Sequence, residues 1–541
     1  MTRFGEIGPR TLSSERAYYL APVPLRRSAL VVLLAALMVV ATVAVFRKPK
    51  VVAKPSSARP NIVFLLTDDL DVSEMAYMPN VKRLLTDEGV SFNRYYVSVS
   101  LCCPSRTSLL RGQYSHNTGV ETNGSGNGGF PTAHRLGVEQ STIATWLHDS
   151  GYRTAYIGKY LNAYPSSVSP TYVPPGWDEF DSAVRGDPYT EYDYTLNENA
   201  HLVRYGHTPA DYGTNVYVRK ANQFITSSAA SGKPFFAYVN VYAPHQPAVP
   251  APADSQRFDH ARAPRTPNFN RVDPSKPAWL RSLPRMSHTT IRNVDGLYRD
   301  RIRSLQAVDR GVARLVSTLQ RTHELADTYF VFSSDNGFHL GQFGMPAGKE
   351  TPYESDIRVP LIVRGPHVPA GRTCDFLTGN IDLPPTLADL AGVKPPAFVD
   401  GRSIAALLHD PARDAQPRHA YLVEHWKETR ALDEPPVAVG PAPTEPRDLD
   451  GLPSAEAKGP PPRPNVIPEF HGVRTEHYLY VEYVTGDREL YATDRDPYEI
   501  HNLVRDPAEA ALVAELHARV VGLETCRAEG CRRLEDAPIT T

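Results

Sequence analysis

Short apolar runs alternate with longer amphipathic segments along the chain from about residue 59 onwards. This alternation is typical of the strands and helices of an α/β domain with a mostly parallel central sheet. Because ligands of open α/β sheets bind beyond the carboxyl ends of the strands, polar residues that follow apolar runs are candidates for one site. Four runs lead into such residues: 61–66 into Asp68 and Asp69, 154–157 into Gly158 and Lys159, 235–241 into Pro244 and His245, and 329–332 into Asp335 and Asn336.

One amphipathic segment, residues 301–319, has a regular helical pattern. We interpret it as a helix of the core that precedes the strand at 329–332 and has no part in the chemistry. Its apolar side chains recur three or four positions apart, at Ile302, Leu305, Val308, Val312, Leu315 and Leu319.

The last part of the chain predicts a second, smaller α+β unit at residues 469–541. Residues 477–493 indicate a hairpin, and residues 507–521 indicate a closing helix. Residues 431–468 are rich in proline, so we expect an exposed loop insertion between this unit and a catalytic domain at 59–430.

An uncharged apolar run at residues 28–46 has the length of a short membrane-spanning helix. We interpret it as a signal anchor that binds the protein to a membrane, with a cytoplasmic tail at 1–27 and a linker at 47–58. A cleaved signal peptide is the alternative, because small residues such as Ala41 lie near a possible cleavage point. The catalytic domain is extracytoplasmic in both cases, and it is secreted in the second.

The composition is that of a folded globular protein, since 41% of the 541 residues are hydrophobic and 22% are charged. Lys and Arg number 58 against 60 Asp and Glu, which gives a formal net charge of -2. This balance offers no electrostatic reason to expect nucleic acid as a partner.

Two pairs of polar residues supply only hard oxygen ligands, Asp68 with Asp69 and Asp335 with Asn336. Such ligands suit Ca²⁺ or Mg²⁺ better than zinc, which favours His and Cys. Helix capping is the alternative, because Asp and Asn are common at strand-to-helix turns.

The five cysteines are too few for a disulfide scaffold. Cys526 and Cys531 are close enough in sequence for a small clip in an oxidising compartment, and two thiols fit equally well. Cys102 adjoins Cys103, which disfavours a bridge between them. Cys102 also precedes a predicted helix whose first turn, with Arg106, would bind an anion, so its thiol is either a nucleophile or a small buried hydrophobe.

The stretch CCPSRTSLLRG at residues 102–112 resembles the C-x-P-S-R signature of type I sulfatases. The resemblance implies an alkaline-phosphatase-like α/β sandwich with a central, mostly parallel sheet and a smaller C-terminal α+β subdomain. It also implies that a formylglycine-generating enzyme oxidises Cys102 to formylglycine, whereas Cys103 is the variable residue. Other stretches follow the order of the family between about residues 58 and 505: RPNIVFLLTDD, GYRTAYIGKY, PFFAYVNVYAPH, FVFSSDNGFHLGQF, DIRVPLIVRGP and ELYATDRDPYEIHNL.

The resemblance also implies a role for each residue of the site. One Ca²⁺ would bind the formylglycine oxygen at position 102 together with Asp68, Asp69, Asp335 and Asn336. Hydrated formylglycine would attack sulfur, with Asp335 as proton acceptor, and its second hydroxyl would then allow sulfate to leave. The other implied roles are hydrate binding by Arg106, sulfate binding by Lys159 and Lys349, and protonation of the departing alcohol by His245 with Lys349.

One position departs from the family pattern. Many sulfatases have G-K-W-H where residues 158–161 are GKYL, so Leu161 replaces the histidine that serves as base for the elimination step. His116 and His339 are candidates for a substitute base or for substrate binding. The GKYLN form resembles N-acetylglucosamine-6-sulfatases and their endo-acting relatives, which implies a sulfated amino sugar or glycan, or an aryl sulfate, as substrate.

Two alternative functions stay open at this stage. A phosphatase or phosphonate monoester hydrolase of the same superfamily would act on a geometrically similar ester. A surface glycan-binding protein without turnover would need a broken site, whereas every residue that the resemblance requires for metal, nucleophile and acid is present.

Overall fold

The computed structural model describes residues 59–124, 126–412, 418–429 and 467–540. The predicted tail, anchor and linker, and residues 431–466 of the predicted loop insertion, lie outside the described residues. Within the described ranges, no helix is long and apolar enough to cross a membrane.

The described residues form a large sheet, a short two-stranded ladder and a four-stranded sheet. The strands are β1 Asn61–Thr67, β2 Val90–Phe92, β3 Tyr95–Tyr96, β4 Arg153–Gly158, β5 Glu179–Gly186, β6 Tyr194–Glu198, β7 His201–Arg204, β8 Phe235–Asn240, β9 Thr328–Ser334, β10 Leu361–Arg364, β11 Arg372–Cys374, β12 Thr378–Gly379, β13 Tyr421–His425, β14 Phe470–Arg474, β15 Tyr478–Tyr483 and β16 Arg488–Ala492.

The large sheet has the strand order β11-β2-β10-β9-β1-β8-β4-β5-β6-β7 in the described part of the chain. Its central strands β9, β1, β8, β4 and β5 are parallel, and antiparallel pairs flank them. The four strands predicted from apolar runs are β1, β4, β8 and β9, so this part of the prediction is confirmed. The carboxyl ends of these four neighbouring strands lie at one edge of the sheet.

Helices cover both faces of this sheet, and others pack elsewhere, for example on the C-terminal sheet. The α-helices of the described residues are α1 Pro79–Val81, α2 Cys102–Arg111, α3 Ser115–Thr118, α4 Gly129–Arg135, α5 Ile143–Asp149, α6 Gly213–Ser231, α7 Ala278–Arg281, α8 His288–Arg321, α9 Glu354–Ile357, α10 Leu383–Leu390, α11 Ala405–His409, α12 Ala510–Leu523 and α13 Glu529–Asp536. Alternate side chains of β1 point to opposite faces of the sheet and pack in two separate hydrophobic cores. Phe64 packs in the core that includes residues of α2, and Val63 packs in the core that includes residues of α6 and α8. The long helix α8 contains the predicted segment 301–319 and begins at a Ser287 cap.

The C-terminal sheet is antiparallel in the order β13-β14-β15-β16. The predicted hairpin is the β15–β16 pair, and the predicted closing helix is α12, which packs on β14 and β15. Its first strand, β13, lies within residues 59–430, the range predicted for the catalytic domain. The proline-rich segment separates β13 from its partner β14 in sequence. Cys526 and Cys531 form a disulfide next to this sheet. The predicted fold class, an α/β sandwich with a smaller C-terminal α+β part, is confirmed.

Candidate active site

The ends of the four parallel strands bring the predicted polar residues into one buried cluster. Lys159, after β4, places Nζ 2.6 Å from Oδ2 of Asp68, after β1. The backbone N–H of Asp69 donates to Oδ1 of Asp335, after β9, at 3.0 Å. His245, beyond β8, places Nε2 3.5 Å from Oδ2 of Asp69. The convergence predicted from the strand ends is therefore present in the structure.

Helix α2 points the thiol of Cys102 into this cluster. Cys102 is the first residue of the helix, and its Sγ lies 3.4 Å from Oδ1 of Asp68 and 3.8 Å from Oδ1 of Asp69. Lys349 Nζ donates to the same sulfur at 3.0 Å. Arg106 lies one helical turn later and therefore on the same face of the helix. The sulfur atom thus lies among carboxylates and ammonium groups, at the centre of the cluster.

The neighbouring Cys103 has a different environment. Its backbone N–H donates to Oδ1 of Asn123 at 2.8 Å, and its side chain belongs to the apolar core. Burial raises the pKa of its thiol to about 12. A thiol with that pKa is not a nucleophile near neutral pH.

Three cations compensate the buried carboxylates. Arg106 Nε donates to Oδ2 of Asp335 at 2.8 Å, and its NH2 group lies 3.7 Å from Oδ1 of Asp68. Burial favours protonation of Asp335, but Arg106, Lys159 and Lys349 outweigh burial and lower its pKa to about 2. At Asp68 burial outweighs Lys159 and raises the pKa to about 6. The cluster therefore holds both negative and positive charge away from water.

Four residues fit a hard metal ion. Oδ1 of Asn336 is buried and accepts no hydrogen bond within the described ranges, while its Nδ2 donates to Oδ1 of Asp69 at 2.7 Å. A buried carbonyl oxygen without a donor is costly, and a cation is one way to satisfy it. The carboxylates of Asp68, Asp69 and Asp335 supply the other oxygen atoms. Candidate ligand atoms of Asp68, Asp69, Cys102 and His245 lie within 4.8 Å of one another.

The tautomer of His245 follows from its hydrogen bonds. Nδ1 lies 2.7 Å from the carbonyl oxygen of Gln246. A carbonyl only accepts, so Nδ1 carries a proton and Nε2 faces the cluster. Lys349 Nζ is 3.4 Å from that Nε2. The ring of Tyr189, which the sequence analysis did not identify, packs on the imidazole at 4.7 Å and lies 5.1 Å from Lys159 Nζ.

The two other candidate histidines occupy different surroundings. His116 contacts the Glu424 carboxylate through Nδ1 and the Cys526 carbonyl through Nε2. Burial opposes protonation of His116, but Glu424 outweighs it and raises the pKa to about 9. His339 is fully buried, with Nδ1 3.0 Å from Oδ2 of Asp356. Leu161, in place of the family histidine, packs in the apolar core.

Similarity to known proteins identifies the family of this chain. The sulfatase family profile matches residues 60–393, more than half of the chain. The chain belongs to the sulfatase family. This family of sulfuric ester hydrolases is the one that the CCPSR motif predicted.

Sulfatase relatives of known name align over most of the chain. An N-acetylglucosamine-6-sulfatase of Capra hircus is 32% identical over 501 residues, covering 89% of this chain and 86% of the relative. A putative extracellular sulfatase Sulf-1 homolog of Caenorhabditis elegans is 36% identical over 379 residues. That alignment covers 69% of this chain and 52% of the relative, so the chain spans about half of that protein's length. The extracellular sulfatase SULF-1 homolog of Drosophila melanogaster is 39% identical over 356 residues, which cover 65% of this chain and 31% of that protein.

Solved structures share the sulfatase fold. One, in complex with its substrate D-glucosamine-2-N,6-O-disulfate, has a TM-score of 0.69 at 23% identity and covers 89% of this chain and 99% of its own. A phosphonate monoester hydrolase from Silicibacter pomeroyi has a TM-score of 0.61 at 22% identity, and the match covers 86% of this chain and 94% of the hydrolase. Both likenesses confirm the fold.

Proposed function

We propose that this sulfatase hydrolyses sulfate monoesters of sugars or phenols with a formylglycine made from Cys102 and one bound Ca²⁺. The observation that carries the proposal is the buried cluster around Cys102. Its Sγ lies between Asp68, Asp69 and Lys349, all within 3.8 Å. A structural cysteine is normally surrounded by apolar atoms, as Cys103 is here, whereas Cys102 is surrounded by charge.

The oxygen ligands and the thiol fit the two groups that the resemblance implies. Asp68, Asp69, Asp335 and Asn336 would hold Ca²⁺, which would neutralise charge on a sulfate oxygen and orient the nucleophile. Formylglycine at position 102 supplies a hydroxyl nucleophile whose second hydroxyl permits release of sulfate, a route closed to serine or cysteine. The orphaned oxygen of Asn336 supports a cation at this place.

The cationic side chains bind and orient the reacting groups. Lys349 places Nζ 3.0 Å from Sγ of Cys102, where it would contact both the nucleophile and a sulfate oxygen. Lys159 would bind a second sulfate oxygen, and its Nζ lies 5.1 Å from the centre of the Tyr189 ring. Arg106 holds the Asp335 carboxylate and would balance the charge of the nucleophile. Such fixed donors stabilise developing negative charge in a buried site.

His245 is the proposed acid for the departing alcohol. The Gln246 carbonyl fixes the Nδ1 proton, so Nε2 is the atom that faces the reaction. Lys349, 3.4 Å from Nε2, is placed to support the proton transfer. General acids of this kind typically accelerate cleavage by about 10²–10⁴-fold.

The base for the elimination step is a separate proposal, because Leu161 has no proton acceptor. His339 is our first candidate. Its backbone pairs with Gly348, directly before Lys349, and Asp356 fixes its Nδ1. His116 is the second candidate, since Glu424 and the Cys526 carbonyl already engage both of its ring nitrogens.

The names of the relatives guide the proposed substrate and location. N-acetylglucosamine-6-sulfatases and extracellular sulfatase homologs are among them, so we propose a 6-O-sulfated N-acetylglucosamine or a related sulfated glycan, outside the cytoplasm. A formylglycine-generating enzyme would act on Cys102 during maturation. Membrane attachment through residues 28–46, or secretion after cleavage, stays a prediction from the sequence.

Phosphate and phosphonate esters are the second candidate substrates, because a phosphonate monoester hydrolase shares the fold. Paired rates on 4-nitrophenyl sulfate and 4-nitrophenyl phosphate test the proposal. We expect kcat/KM to be greater for the sulfate by about 100-fold or more, because the chain belongs to the sulfatase family. A faster phosphate reaction would favour the second candidate. Tight glycan binding without release of sulfate would favour a binding protein.

A further inference from the structure

Arg301 of helix α8 contacts all three loops that carry Asp69, His245 and Asn336. Its NH2 group donates to the backbone carbonyl of Asp69, and its NH1 group donates to the carbonyl of Pro244 at 3.3 Å. The Phe338 ring lies 4.2 Å from the centre of the guanidinium. The side chain is fully buried. One rigid group therefore connects the ends of β1, β8 and β9.

Glu74 fixes the orientation of this guanidinium. Arg301 Nε donates to Oε1 of Glu74 at 2.7 Å, and NH2 donates to Oε2 at 2.7 Å. Glu74 is itself fully buried, and its Oε2 accepts from the backbone N–H of Asp71 at 3.3 Å. A bidentate pair between two planar groups specifies direction as well as distance, which a lysine does not reproduce.

The partners of Arg301 bear directly on the site. Asp69 is in the left-handed region, with a φ of 66°, a conformation that costs energy for a residue other than glycine. The bond from Arg301 to the Asp69 carbonyl stabilises this conformation, which sets the direction of the carboxylate. Pro244 directly precedes His245, so the second bond fixes the start of the loop that carries the imidazole.

We propose that Arg301, held by Glu74, is a positioning residue that keeps the Asp69 carboxylate and the His245 imidazole in the arrangement required for sulfate ester cleavage. This inference rests on the proposed function, in which Asp69 binds the metal ion and His245 protonates the alcohol. It assigns a part in the reaction to the helix at 301–319, which the sequence pattern indicated to be purely structural. Replacement of a buried ion pair by apolar residues is often neutral or stabilising, so the burial of this pair is weak evidence for a role in stability.

The test uses the matured full-length protein and the variants Arg301→Lys and Glu74→Gln. The matched control is Arg310→Lys, because Arg310 lies on the same helix and pairs with Asp254 at 2.8 Å. The substrates are phenyl sulfate, whose phenol is a poor leaving group that needs the acid, and 4-nitrophenyl sulfate, whose 4-nitrophenol leaves with little help from the acid. We expect kcat for phenyl sulfate to fall by about 100-fold and for 4-nitrophenyl sulfate by about 10-fold, with KM changed by less than about threefold.

A second measurement does not depend on turnover. Ca²⁺ raises the unfolding temperature of a protein that binds it only when folded. We expect Arg301→Lys and Glu74→Gln to reduce this calcium-dependent rise by about half or more, because Asp69 is no longer fixed, and Arg310→Lys to leave it unchanged.

The outcomes separate this inference from the proposed function. The positioning role would be overturned if kcat fell equally for both sulfates while the calcium-dependent rise in unfolding temperature stayed unchanged. It would also be overturned if Arg310→Lys showed the changes expected of Arg301→Lys. Either result would leave the sulfatase activity standing. If Arg301→Lys does not fold, Glu74→Gln decides, since it retains the arginine and replaces one accepting oxygen of Glu74 with an amide group. A wild-type protein that hydrolyses neither sulfate would overturn the proposed function itself, and with it the reaction that Arg301 would serve.

Discussion

Replacement of Cys102 by alanine should abolish sulfate ester hydrolysis, with kcat/KM falling by about 10⁴-fold or more. The side chain at position 102 would carry the nucleophile, and it lies within 3.8 Å of both Asp68 and Asp69. The measurement is the hydrolysis of 4-nitrophenyl sulfate by purified protein, with circular dichroism to show that the variant is folded.

Cys103→Ala is the matched control for this variant. The hydrogen bond to Asn123 is made by the backbone of Cys103 and survives the substitution. Loss of one buried sulfur atom should cost about 1 kcal/mol of stability, and activity should stay within a few-fold of the wild type. Activity retained in Cys102→Ala, or lost only in Cys103→Ala, would show that the nucleophile has been assigned to the wrong residue.

Removal of Ca²⁺ should have the second large effect. With EGTA, the three carboxylates around Asn336 would lose the cation that offsets their repulsion, and hydrolysis should fall to the background rate. At a free Ca²⁺ concentration about 1,000 times Kd, the metal would contribute about 4 kcal/mol to the free energy of unfolding. Thermal unfolding with and without EGTA measures this loss directly.

Asp69→Ala provides the comparison for the chelation experiment. Its unfolding temperature should no longer respond to added Ca²⁺, because the carboxylate that contacts Asn336, Lys349 and Cys102 has gone. An unchanged unfolding temperature and full activity of the wild type in EGTA would argue against a calcium site. Restoration by Zn²⁺ but not by Ca²⁺ would indicate a different metal, contrary to the oxygen-only ligand set.

The sequence predicted the parts of the fold that depend on local pattern. Buried parallel strands are continuous apolar runs, so β1, β4, β8 and β9 were visible, and the residues after them had to lie at one edge of the sheet. The CCPSR motif similarly located Cys102 and Arg106 on one face of α2. Lys349 needed the family resemblance, because it follows no strand and lies in an irregular segment.

The features that the sequence did not predict depend on long-range contacts. Strand β13 pairs with β14 across the proline-rich segment, and no local pattern records that pairing. Tyr189 reaches His245 from a short turn after β5. The sequence did contain an indication that Arg301 is buried, because it lies three residues after Tyr298 and four before Leu305, on the apolar face of α8. A charge at such a position indicates a buried partner, and the sequence could not identify it as Glu74.

Peptide mass spectrometry of the protein from its native host would show directly whether Cys102 is converted to formylglycine. The tryptic peptide that ends at Arg106 contains both Cys102 and Cys103, and fragmentation distinguishes the two positions. We expect an aldehyde at position 102, which reacts with a hydrazide probe, and an unmodified thiol at position 103. Protein that hydrolyses sulfate esters while Cys102 remains a thiol would contradict this expectation.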